Sequence, residues 1–386
     1  SRQFDVVVVG GTLGIFTALA LLRKGVQRVA VVERTAVRGR DQEWNISRKE
    51  MEELVQCGVL EAQDLEDPAV ICAECFPSRC GFNSAATGYP EVQVSGVLNL
   101  GVSPTELVRR VRERFEEAGG VVLENTALEG VHVHPQRGVH INCGSEQLRT
   151  QLLLDCMGHA SPIARQVRGG ALPDAVCCVV GTCASGFTEN TGGDVIYTCD
   201  DIVTCEAGSK VQYFWEAFPA GAGPTHRTTY MFTYIEPHPQ RPSLLQMLED
   251  YWQLMPAYQQ LEGLDQLEVE RGMFGLFPSW KDSPLEPGFD RVLQIGDASG
   301  IQSPLSFGGF GALTRHLPRV SGAVKEALDV GALAREDLAL INAYNPGLNT
   351  AWLFQVSMSV KVGTSCEASF INRLMGSTFA AMEQLG

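Results

Sequence analysis

The chain has 386 residues, 30 basic against 45 acidic side chains, a net charge of −15 and 45% hydrophobic residues. That length exceeds one ordinary domain, and that charge excludes a basic nucleic-acid surface. No apolar run reaches the roughly 18 to 20 residues that cross a bilayer, and the first residues read as a strand rather than as a signal peptide.

Taken in chain order, the run Phe4 to Val9 predicts a buried strand, followed by Gly10, Gly11 and Gly14 and by an apolar helix pattern from Leu13 to Leu22. Strand, glycine turn and helix in that order form a dinucleotide-binding arrangement, in which backbone amides at a helix N-terminus meet a pyrophosphate. Val9 stands where the pattern has its first glycine. A second strand, Val29 to Val32, ends at Glu33, nineteen residues after Gly14, where a carboxylate can accept from a ribose diol; Arg34 follows it. The charged turn Gly39 to Glu43 comes next, and Arg40, Glu43, Trp44 and Asn45 are expected to wrap around the nucleotide.

A helix is predicted from Ser47 to Val55, then a cysteine-rich excursion from Ala69 to Gly96. Cys72, Cys75 and Cys80 cluster without a second ligand pair at zinc spacing, so no metal site is expected; Cys72 and Cys75 are either a redox pair or reduced thiols like the other cysteines. Pro104 to Ala118 predicts an amphipathic helix capped by Ser103 with Glu106 in its first turn. Strands follow at Gly120 to Leu123, Glu129 to His134, Val139 to Cys143 and Leu152 to Met157, the last leading into Gly158. From Val176 to Gly275 the pattern turns to β-branched and aromatic alternation, with Tyr213 to Phe218 and Thr228 to Ile235 as the clearest strands around a Gly/Pro hairpin. Ser243 to Leu254 reads as a helix.

A further strand, Arg291 to Ile295, delivers Gly296 and Asp297, and Pro304, Gly308, Gly309 and Gly311 precede another helix. This return is similar to the second FAD fingerprint of glutathione-reductase-like and hydroxylase-like flavoproteins. By that resemblance Asp297 takes the ribityl hydroxyls and the glycine turn offers N–H groups to the flavin. DCMGHASPIARQ, Asp155 to Gln166, resembles the hydroxylase motif beneath the cofactor, but Met157 stands where that motif has Asp and Arg165 comes one residue late. The expected fold is therefore α/β: a discontinuous Rossmann-like FAD domain (1–60, 97–168, 285–330), a β-rich substrate domain (61–96, 169–284) and a C-terminal helical segment (331–386).

GGTLGIF at Gly10, GRDQEWNISRKE at Gly39, VLNLGVSP at Val97, FWEAFPAGAGP at Phe214, RTTYMFTY at Arg227 and GDASGIQSPLSFGGFG at Gly296 together resemble the CruA/CruP-type lycopene cyclase family, whose green-algal offshoot is an atypical violaxanthin de-epoxidase. The resemblance implies FAD, a carotenoid substrate such as violaxanthin or lycopene, an unidentified electron donor, and a place on the stromal side of chloroplast membranes. It leaves open reductive de-epoxidation, redox-neutral cyclisation and a non-catalytic pigment-binding role. A soluble monooxygenase is disfavoured by the altered Asp155 to Gln166 motif.

Both reactions call for a carboxylic acid beside the polyene end. Glu216 in FWEAF is the candidate, because strand alternation places it between Phe214 and Phe218 on one face, where desolvation would raise its pKa. The competing reading pairs it with Arg227 on the neighbouring strand. Near the C-terminus, Ala351 to Val362 is apolar nearly all round as a helix, and either closes the fold or docks on a membrane surface.

Overall fold

The structure is a computed structural model that describes residues 2–74, 76–134, 136–188, 190–221, 223–301, 309–343 and 348–385. Pro304, Gly308 and Cys75, each singled out above, lie outside the described residues.

Two seven-stranded sheets organise the chain. The first runs Val121–Leu123, Val29–Val32, Arg2–Val9, Glu146–Asp155, Gly138–Cys143, Gly130–His134, with Val292–Gln294 added beside Glu146–Asp155. Val29–Val32, Val6–Val9 and Leu152–Leu154 are buried on both faces, as their unbroken apolar composition requires. Helices Gly11–Arg23, Pro104–Glu117 and Gly309–Val330 pack on one side of it in a common core with Phe16, Leu19, Val111, Phe115, Leu317 and Val324.

Glu146–Asp155 starts six residues before the strand expected at Leu152 and ends two before Met157. Its first half alternates, with Leu148 and Thr150 inward and Gln147, Arg149 and Gln151 exposed, and it pairs antiparallel with Gly138–Cys143. Its second half takes Val292–Gln294 as a parallel neighbour instead, in register Asp155 to Gln294. One long strand thereby carries both a solvent-facing hairpin and the buried centre of the nucleotide-type sheet.

The second sheet has the order Glu268–Ser279, Ala175–Ser185, Arg227–Ile235, Phe214–Pro219, Gly193–Thr198, Ser78–Phe82, Val92–Val94. Helix Leu244–Gln259 covers one face, burying Met247, Tyr251 and Met255 against Cys178, Val180, Trp215 and Met231. On the other face, Cys177, Val179, Phe214, Phe232 and Tyr234 pack against Met358, Val360, Ile371 and Met375 of the C-terminal segment. A small sheet of Trp44–Ile46, Leu100–Val102 and Ile71–Ala73 lies between the two large ones.

The C-terminal apolar run is not one helix. Helix Leu348–Ser357 ends at Ser357, after which Met358 and Val360 turn into the core while Leu353 and Val356 stay exposed. Serine and β-branched residues from Ser357 to Val362 disfavour continuing the helix. Among the described residues no helix is long and apolar enough to cross a membrane, and no group of three His, Cys, Asp or Glu could hold a metal ion.

Candidate functional site

The site is built where the first sheet's strands end. Gly10 follows Arg2–Val9 with φ 100°, and a Cβ there would stand 2.3 Å from the Cys156 carbonyl oxygen, so only glycine fits. Val9 is accommodated because it is the last paired residue of its strand, opposite Val32 and Asp155, with its side chain in the core. A Cβ on Gly14 would meet Val8 Cγ1 at 2.8 Å, so Gly14 sets the close approach of helix Gly11–Arg23 to the strand. That helix starts without a side-chain cap, which leaves first-turn N–H groups to a ligand. The Gly11 N–H donates to Glu33 Oε2 at 2.7 Å, and the Thr35 N–H donates to Glu33 Oε1 at 3.1 Å. Glu33 is thus fixed beside the helix start with lone pairs to spare.

Beside it lies an open groove lined by Thr12, Thr35, Ala36, Arg38, Gly39 and Arg40. Sequence reasoning named only Arg40 among the basic residues here. Arg34 is exposed and is not one of the lining residues, whereas Arg38 and Thr12, which the sequence pattern did not single out, are.

Farther along, Gly158 and Asp297 meet: a Cβ on Gly158 would lie 4.0 Å from Asp297 Cβ. Gly296 has φ 63°, and a Cβ on Gly309 would stand 2.9 Å from Asp297 Oδ1, so the start of helix Gly309–Val330 closes directly on this carboxylate. Burial raises the Asp297 carboxyl above its ordinary value, opposed by the charges of His159 and Arg40. His159 Nε2 lies 3.7 Å from Asp297 Oδ2. Gly311 borders Glu50, whose carboxylate caps helix Arg48–Gln56 and pairs with Arg315. The motif residue Asp155 turns inward, accepting from Ser161 Oγ at 2.5 Å and from the Met157 N–H at 3.1 Å, so it ties strand to helix rather than facing a ligand.

Gly10, Gly11 and Glu33 therefore stand together at the start of helix Gly11–Arg23, Arg40 lines the groove, and Gly158, Asp297 and Gly309 meet at the end of Val292–Gln294. A turn in which Gly10 and Gly14 leave no room for a Cβ, an N-cap glycine without a side-chain cap, the carboxylates Glu33 and Asp297, and two arginines beside the groove fit a dinucleotide such as FAD.

Across the interface stands Glu216, 1% exposed. It shares a sheet face with Phe214 and Phe218, opposite Phe232, Tyr230 and Thr228, while Trp215 and Ala217 face the helix Leu244–Gln259. Arg227 does not pair with it. In the observed register Arg227 lies opposite Pro219, three positions from Glu216 and hence on the other face, where it donates to the Gly192 carbonyl at 2.7 Å and lies 3.8 Å from Asp194. Glu216 pairs with Asn45, whose amide donates to Oε1 at 2.7 Å, and Oε2 is buried without a hydrogen bond among the described residues. Burial raises the Glu216 carboxyl to about 8, with the Asn45 hydrogen bond acting in the opposite direction.

Asn45 and Glu43 were expected at the nucleotide. Both instead reach the second sheet: Glu43 receives Arg271 Nη2 at 2.9 Å, and Gln42 Nε2 donates to Thr228 Oγ1 at 2.7 Å. Trp44 packs on Phe310 with ring centroids 4.7 Å apart. The turn after Arg40 is a bridge whose near end touches the groove and whose far end holds the buried acid.

No protein-family model and no curated protein matches the chain. Solved structures do. A geranylgeranyl bacteriochlorophyll reductase-like protein from Thermoplasma acidophilum is 13% identical, with 98% of this chain and 92% of that chain covered and a TM-score of 0.72. The chain shares the fold of these enzymes. A variant of halogenase PltM in complex with FAD is 13% identical over 100% of this chain and 82% of its own, TM-score 0.70, and tetracycline destructase Tet(51) is 14% identical over 99% and 97%, TM-score 0.63. The expectation of an α/β Rossmann-like architecture with an attached β-rich sheet holds.

Proposed function

We propose that the chain is an FAD-dependent enzyme acting on carotenoid end groups, and that its reaction is reductive removal of a 5,6-epoxide, taking violaxanthin through antheraxanthin to zeaxanthin. The observation that carries this reading is Glu216: a carboxyl raised to about 8, with one oxygen held by Asn45 and the other unpartnered, on the sheet face that closes over the nucleotide-type domain. Support for FAD comes from the glycine turn, groove and carboxylates described above and from the FAD in the PltM structure.

At neutral pH Glu216 keeps its proton. The Asn45 N–H engages Oε1 as a carbonyl, which leaves the proton on Oε2 for an epoxide oxygen as its C–O bond opens. Phe214 and Phe218 keep water from the acid. Bound FAD, once reduced, supplies the two electrons of the conversion, in which epoxide, two electrons and two protons give an alkene and water. An unidentified donor returns the electrons. Glu216 is closed off in this structure, so substrate reaches it only after covering elements move. The family resemblance carries with it a stromal plastid location.

A second reading, cyclisation of a lycopene end group, is favoured by one observation. Phe214, Phe218, Tyr230, Phe232 and Tyr234 place five aromatic rings on the face that holds the acid, a surface suited to a carbocation. There the proton given to the alkene is matched by one lost from the ring, with no net electron transfer. Glu216→Gln is the test of the acid: FAD retention with product formation lost by at least 100-fold is expected, whereas unchanged turnover would remove Glu216 from either mechanism.

A further inference from the structure

Between the end of strand Glu268–Ser279, the turn that follows Asp297 and the start of helix Leu348–Ser357 lies a recess, with Trp280, Lys281, Ser283, Gly300, Asn349 and Gln355 among the residues that line it. Gln355 is 1% exposed, and neither its Oε1 nor its Nε2 has a hydrogen-bond partner among the described residues. A buried amide left in that state is costly until something enters to pair with it. The Arg168 guanidinium lies over the Trp280 ring, 3.8 Å from its centroid, and its Nη2 is buried without a partner among the described residues. Burial works against the Arg168 charge, and Asp174 and Asp282 oppose that effect only through space. Gly300 has φ 76°, and a Cβ there would stand 2.6 Å from Ser283 Oγ and 3.1 Å from Arg168 Nη2, so this glycine lets the hydroxyl and the guanidinium close on the recess wall.

We propose that this recess is a binding site for hydrogen phosphate as a free ion. In a chain of net charge −15, Lys281 lines it and no acidic residue does so among the described ones. Helix Leu348–Ser357 turns its first residues, Leu348, Asn349 and Ala351, toward the recess, with no acid in that turn, so the positive end of the helix faces the occupant. Water would pair with Gln355 but would leave Arg168 without a counter-ion, whereas an oxyanion answers both. Gln355 then narrows the anion. Its Nε2 donates to an oxygen and its Oε1 accepts from a hydroxyl, so the occupant must offer both; phosphate that keeps a proton at neutral pH does, and sulfate or a carboxylate does not. A bound phosphate joins Lys281 and Arg168 to Gln355, on the helix that leads into Met358 and Val360, which cover the aromatic sheet face beside Phe214, Phe232 and Tyr234. Occupancy therefore holds that cover in place.

The test is calorimetric titration of the full-length FAD-loaded protein at neutral pH with inorganic phosphate, with sulfate, and with AMP, an esterified phosphate that has largely lost its last proton there. Inorganic phosphate is expected to bind, and sulfate and AMP to bind about tenfold more weakly or worse. Lys281→Met, at an exposed side chain, should weaken phosphate about tenfold with FAD content and circular dichroism unchanged. Gln355→Leu, which keeps the volume without the polar atoms, should weaken it similarly and lose the preference over sulfate. Phosphate should also slow amide exchange in Leu348–Ser357 of wild type but not of Lys281→Met. A wild type that takes up no phosphate, a Lys281→Met protein that binds it as wild type does, or sulfate bound as tightly as phosphate would each overturn the proposal. AMP bound more tightly than the free ion would overturn it in favour of a nucleotide. Neither pigment nor Glu216 is read in this titration, so its result is independent of the carotenoid reading.

Discussion

Asn45 and Glu216 are 171 residues apart in sequence and joined by a 2.7 Å hydrogen bond that crosses from the strand next to the nucleotide groove to the buried acid of the second sheet. Because Asn45 follows Arg40 by five residues, the segment that borders the groove also holds Oε1 of Glu216. Asn45 acts as a positioning residue in this account. Asn45→Ala removes the contact that holds the Glu216 carboxyl down, so the basic limb of activity should move to higher pH, while the uncompensated Oε1 costs about 1–3 kcal/mol of stability. A pH–rate profile beside thermal unfolding separates the two effects; an unmoved limb would contradict the coupling.

Glu216 also predicts how stability depends on pH. Its folded carboxyl stands at about 8 against an ordinary value of 4.5, so the folded state holds a proton that the unfolded state has released between those values. Stability contributed by this group therefore falls as pH rises from about 4.5 to about 8, by roughly 1.4 kcal/mol per pH unit, and is flat outside that window. Glu216→Gln should remove this slope and be more stable than wild type at pH 8. Denaturant unfolding at several pH values checks it.

The Glu43 and Arg271 pair predicts a separate mechanical effect. Glu43 is buried and Arg271 is partly exposed, with a distance of 2.9 Å between them. Glu43→Gln should cost about 1–2 kcal/mol and loosen the bridge to the second sheet, seen as faster amide exchange at Gln42 to Asn45. Arg271→Lys should restore little, since Arg271 engages both Glu43 oxygens.

Cofactor affinity tests the nucleotide site. Asp297→Ala is expected to weaken FAD binding at least 100-fold by fluorescence titration, and Gly14→Val to abolish it by pushing the helix off Val8. Arg34→Ala, on an exposed side chain outside the groove, should bind FAD like wild type, and Arg38→Ala should not.

Much of this was legible in the sequence, and the parts that were not share a cause. Gly10 and Gly14 are legible because the strand–turn–helix around them leaves no room for a Cβ, and the alternation in FWEAF correctly separated Glu216 from Trp215. Glu43 and Asn45 were placed at the nucleotide because their partners, Arg271 and Glu216, lie far away in sequence and no local pattern points to them. The Arg227 alternative failed on register, which a hairpin loop of uncertain length does not specify. The early start of Glu146–Asp155 was missed because its polar half resembles a loop, and the C-terminal run was over-extended because apolar character alone does not distinguish a helix from an extended segment.

The most direct measurement is anaerobic incubation of the FAD-loaded protein, its flavin reduced chemically, with violaxanthin or lycopene in liposomes, followed by pigment chromatography and flavin absorbance. The account predicts antheraxanthin and zeaxanthin in step with flavin reoxidation. Cyclic carotenes with the flavin still reduced would contradict reductive de-epoxidation in favour of the cyclase reading, and tight pigment binding without any product would contradict catalysis itself.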